Sequence, residues 1–117
     1  MPIHKMIEIP IYDVLLYLVS SPDPIAERIH MNDIFGELKT FDWNALCSSK
    51  EFNFGLFFTS QPRIATIAHE VFHLTHRILD RAGVPFSIEN QEAGALLHGY
   101  LFDLVMKEIP CCYQNVK

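Results

Sequence analysis

Residues 69–73 read His-Glu-Val-Phe-His, two imidazoles four positions apart with a carboxylate directly after the first. On a helix that spacing stacks both rings on one face. One rigid backbone could then present His69 and His73 to a single metal ion, with Glu70 rotated toward a metal-bound water. The ion expected for such a set is Zn2+, and the chemistry is hydrolysis. A zinc site lowers the pKa of its water to about 7. Glu70, as general base, would take the proton and later hand it to the leaving amine of a cleaved amide. The plain alternative is a solvated helix face that happens to carry two histidines and a glutamate.

A catalytic zinc takes three protein ligands and keeps one position open. Nineteen positions after His73 the chain reaches Glu92, in the first turn of the last expected helix. Residues Arg81 to Pro85 can turn the chain so that this helix lies beside the first. Ala93, Gly94 and Ala95 are small enough to allow close approach, and Gly99 shares a face with Glu92, Leu96 and Asp103. Glu92 is therefore the expected third metal ligand, and the metal site is expected between the last two helices. An acidic residue at a helix N-terminus is also favourable with no metal present. Glu89 is the rival ligand. His98 points about 120° away from Glu92 on the helical wheel. His76, one turn past His73, fits a cleft-lining or exposed position better than ligation. Asp80 reads as an exposed charge near a helix end.

The elements that must hold these groups follow from the pattern. Met6 to Val19 is rich in Ile, Val, Leu and Tyr, broken by Pro10 and Asp13, and predicts one or two short strands, with Val14 to Val19 the stronger. Asp23 as N-cap and Pro24 in the first turn predict a helix to about Leu38. Thr40 to Glu51 reads as irregular, and Phe52 to Thr59 as a strand with a possible bulge at Gly55. Pro62 opens, and Gly83 closes, a long helix over about Arg63 to Ala82. Its wheel puts Ile64, Ile67, Val71, Leu74, Thr75 and Ile78 on the core side and His69, His73, His76 and Asp80 opposite. A last helix is predicted from about Gln91 to Ile109, stopped by Pro110. The expected fold is one α+β domain over residues 1–117, a small antiparallel or mixed sheet packed on about three helices. The aromatics Phe41, Trp43, Phe52, Phe54, Phe57 and Phe58 read as core or edge packing. His4 and His30 have no partner spacing.

Composition narrows the partners. The net charge of −5 and the absence of any Lys/Arg cluster argue against nucleic acid. Ile7 to Val19 is too short and too interrupted to span a membrane, and the first residues do not read as a signal peptide. Three cysteines, with no CxxC or CxxH pair, suit a reducing cytoplasm better than a cysteine zinc site. Adjacent Cys111 and Cys112 are a minor metal or redox possibility.

The run His69-Glu70-x-x-His73, followed by Asn90-Gln91-Glu92-Ala93-x-Ala95-x-x-x-Gly99-Tyr100-Leu101, resembles small metallopeptidases encoded by phages and prophages. These belong with the zincins and, with glutamate as third ligand, are gluzincin-like. The resemblance is strong over the second half of the chain and loose over the first. It implies a minimal zincin-like fold, His69, His73 and Glu92 on zinc, Glu70 as the catalytic base, a peptide or protein substrate, and a location in the host cytoplasm. Relatives often carry aromatics where this chain has Gly94 and Leu96, so any tyrosine assisting the carbonyl oxygen there is missing; Tyr100 and His98 are the nearest substitutes. In zincins an edge strand near the metal pairs with an extended substrate, a role Phe52–Thr59 could take. The competing expectation is a non-enzymatic interaction module. It would keep the fold, carry a structural metal or none, and act by binding a host or partner protein.

Overall fold

The computed structural model describes residues 2–38, 45–85 and 87–110. Phe41, Trp43, Cys111 and Cys112, singled out above, lie outside them. The apolar run near the N-terminus folds into a hairpin, β1 (Ile3–Ile9) and β2 (Val14–Ser20), with Ile9 opposite Val14. Pro10 and Asp13, which break the run, make the turn. The Asp13 amide donates to the Pro10 carbonyl at 3.3 Å, and Asp13 takes a left-handed φ of 55°.

The predicted helix after Asp23 is two short ones, α1 (Pro24–Ile29) and α2 (Asn32–Phe35). Asp23 does cap the first, accepting from the Ala26 amide at 3.1 Å. Asn32 and Asp33 are weak helix formers that compete locally for backbone groups, and Gly36 at φ 82° ends the second piece. The stretch expected to be irregular contains a strand, β3 (Ala45–Lys50), which forms a hairpin with β4 (Asn53–Phe58). Its turn is Glu51-Phe52, with Glu51 at φ 57°. Neither residue is a usual turn former.

The four-stranded sheet has the order β1-β2-β4-β3, with β2 and β4 parallel and both hairpins antiparallel. The fold is therefore α+β on a mixed sheet. β4 lies inside it and β3 is at the edge, so the Phe52–Thr59 segment is not the free strand that the sequence suggested.

Strand alternation sorts the side chains onto two faces. Leu16, Leu18, Phe54, Leu56 and Phe58 pack with the long helices α3 (Ile64–Arg81) and α4 (Gln91–Glu108). Val19 and Phe57 pack on the other face with Phe35 of α2. Gly55 sits under Phe35, where a Cβ would lie 2.8 Å from Phe35 Cζ and 2.8 Å from Phe57 Cε1. Gly55 is thus a close-approach position within a regular strand pairing. Gly55→Ala is expected to cost about 1–3 kcal/mol, as overpacking does, read as a lower denaturation midpoint.

Of the core stripe predicted for α3, Ile67, Val71, Leu74, Thr75 and Ile78 are fully buried, and Ile64 packs half-buried against the core. The helix ends as Gly83 implied. Gly83 takes φ 77°, its amide reaches the Asp80 carbonyl at 3.1 Å, and the Val84 amide reaches Leu79 at 2.9 Å. That is the paired 5→2 and 6→1 bonding of a Schellman cap. Among the described residues no helix is long and apolar enough to cross a membrane.

Candidate active site

Because Val71, Leu74 and Ile78 point to the sheet and α4, the opposite flank of α3 is left to His69, His73, His76 and Asp80, all exposed. Glu70 lies at the boundary and is buried. The Nε2 atoms of His69 and His73 are 3.2 Å apart, with the rings edge to face. Glu70 Oε2 lies 4.0 Å from His69 Nε2. Burial raises the Glu70 pKa above the ordinary carboxylate value, opposed in part by His69, His73 and Arg77.

These groups line a pocket of about 460 Å3, within the size range of ligand sites. Its position follows from the sheet order. α3 supplies His69, Glu70, His73 and Arg77 on one side, and Ala45 to Ser49 of β3 form the middle. Arg28 of α1, Phe35 of α2 and Leu38 come from beyond the opposite sheet face. The pocket is thus a trough along the outer edge of β3, with no strand paired there among the described residues.

Two further lining groups hold the walls. Arg28, only 4% exposed, donates through Nε to Ser48 Oγ at 2.8 Å, and its terminal nitrogens reach Asn32 Oδ1 and the Phe35 carbonyl. Arg77 donates to Ser49 Oγ at 3.0 Å. Burial lowers the Arg28 pKa. Ser48 and Ser49, adjacent on β3, face opposite sides of the sheet, which is why one meets α1 and the other α3.

The sequence pattern predicts a site between the last two helices. Instead, the histidine pair and Glu70 gather with β3, α1 and α2. α4 packs on α3 through Leu97, Leu101 and Val105, all in the shared core, so it covers a different side of α3. Glu92 is exposed, as are Leu96, Gly99 and Asp103, the residues sharing its helical face. A Cβ on Gly99 would meet nothing within 4 Å, so that glycine admits no neighbouring helix. Glu92 is not brought to His69 and His73, and Glu89 is exposed too. Among the described residues no three His, Cys, Asp or Glu side chains are grouped to hold a metal ion. His98 stacks on Phe102 and Tyr100 faces an apolar groove beside Ile11; neither lines this pocket.

The donors test the idea of a metal directly. Two nitrogens, each about 2.05 Å from one tetrahedral zinc, stand roughly 3.3 Å apart, which the 3.2 Å imidazole separation matches. The pair fits two corners of a zinc site; the third corner is not supplied by the described residues as arranged.

Cys47 adds nothing reactive. Burial pushes its thiol up to about 12, so it is neither a ready nucleophile nor a ready thiolate ligand. In a Cys111→Ser/Cys112→Ser background, alkylation of Cys47 at pH 8 is expected at least about 100-fold slower than that of a free thiol.

Arg28, Ser48, Ser49 and the β3 edge were not singled out from sequence. Arg77 had a signal, since it stands four residues after His73 on the same helical face. Arg28 had none, because only the sheet crossing brings α1 to β3. No family model, curated protein or solved structure matches this chain.

Proposed function

We propose that the protein is a zinc-dependent peptidase acting on extended peptide segments held along β3. The observation that carries this reading is the 3.2 Å approach of His69 and His73 Nε2 beside buried Glu70, at a sheet edge left unpaired among the described residues. Bound zinc would supply a Lewis acid that acidifies water and polarises a carbonyl. His69 and His73 would hold it through Nε2, both being exposed to the trough. Glu70 is buried on one side and open to the trough on the other, and its raised pKa suits a carboxylate that takes a proton and returns it to an amine. An extended peptide can hydrogen-bond to the outer edge of β3, unpaired among the described residues, as strand addition does elsewhere. Its alternate side chains would then face α3 and Arg28 in turn. This moves the substrate-pairing role from β4 to β3.

The incomplete donor set supports a second reading, an interaction module on the same scaffold that binds a partner segment along β3 without cleaving it. Zinc content after dialysis, together with cleavage of an unfolded protein substrate by wild type and by Glu70→Gln, separates the two. Binding without any turnover would reject the peptidase reading.

A further inference from the structure

We infer that the trough selects peptides carrying an acidic side chain, received by Arg77 two residues from the point on the peptide that faces His73. This rests on the proposal that an extended segment occupies the β3 edge, and it adds which segment.

The first support is charge. The chain as a whole is acidic, at −5, yet among the described residues the trough is lined by two arginines, Arg28 and Arg77, and a single carboxylate, Glu70. Arg28 is buried and satisfied by neutral oxygens alone, so its positive charge has no carboxylate partner among the described residues. A buried unpaired cation raises the local potential for any anion entering beside it. Arg77 is exposed and bonds through one terminal nitrogen to a neutral hydroxyl, which leaves further N–H donors for a carboxylate. Ser49 Oγ accepts from Arg77, so its own hydroxyl hydrogen is free to donate.

The second support is spacing. α3 runs along β3: Glu70 shares a small surface depression with Ala45, at one end of the strand, and Arg77 bonds to Ser49 near the other. From His73 to Arg77 is four residues, a rise of about 6 Å on a helix. Two residues of an extended strand cover about 6.6 Å and return the side chain to the same face. A peptide aligned on β3 with one residue at His73 therefore presents the side chain two positions along to Arg77. The groove geometry admits a carboxylate there and brings a lysine against a cation.

The test is a binding series on the full chain. Short labelled peptides of β-forming residues would carry Glu, Gln or Lys at one position, each with a free or an amidated C-terminus. Titrated by anisotropy, the Glu peptide is expected to bind roughly 10-fold tighter than the Gln peptide, and the Lys peptide weakest. Arg77→Glu should invert the order. Equal affinities for all three, or an order unchanged in Arg77→Glu, would overturn the inference. So would a preference that disappears on amidation, since the carboxylate received would then be a chain end. Tight, acid-selective binding without cleavage would leave this inference standing and defeat the peptidase reading; cleavage without acid preference would do the reverse.

Discussion

Glu70→Gln is expected to lower peptide hydrolysis about 10²- to 10⁴-fold, the range for losing a general base, with zinc binding retained. The side chain is nearly isosteric, and among the described residues Glu70 makes no hydrogen bond that packing depends on; its Oε2 lies 4.0 Å from His69 Nε2. A loss through unfolding is excluded by a stability measurement of opposite sign. Burial raises the Glu70 pKa in the folded state, so its contribution to stability is fully present below the unfolded carboxylate value and is lost as pH rises through the folded one. At pH 8 the metal-free wild type holds a buried charge that glutamine lacks. Metal-free Glu70→Gln should therefore melt higher than wild type at pH 8, with the gap closing toward pH 4. Undiminished turnover in this variant would remove Glu70 from the chemistry.

Loss of either imidazole should be as damaging to the metal. His69→Ala and His73→Ala are each expected to weaken zinc binding more than about 100-fold, beyond the upper end for losing an outer-shell partner. The reason is the 3.2 Å pair: each ring alone is one exposed donor, and only the two together offer a tetrahedral edge. The arrangement of α4 makes a contrasting forecast for Glu92→Ala, which should leave zinc affinity within about threefold, because Glu92 sits on an exposed face away from the pair. A fall in Glu92→Ala equal to that of the histidine variants would mean that α4 swings onto the site when metal binds. Competition with a chromophoric chelator reads all three.

The α3 helix was legible residue by residue. Its apolar period, its proline start and its glycine stop are local signals, and the observed Ile64–Arg81 differs from the expected bounds by one residue at each end. β3 was not legible. Ala45 to Lys50 carries two serines and no β-branched residue, and its turn is Glu51-Phe52, so nothing local favours a strand. Pairing with β4 forms it, since Phe54 and Phe57 are held in place from both faces of the sheet. The α4 wheel puts Glu92, Leu96, Gly99 and Asp103 on one face, and all four are exposed; which way that face points is not contained in the wheel.

By itself the chain determined the chemistry available, since the placing of two imidazoles and a carboxylate on one helix depends only on sequence spacing and the 3.6-residue turn. What those groups face was decided by tertiary structure alone. The sheet order puts β3 at the edge, and α4 docks on the core side of α3. That leaves the histidines over a strand edge lined by Arg28 and Arg77, not over Glu92. Long-range packing of buried apolar faces chooses between such arrangements, and no local pattern encodes which neighbour each face will find.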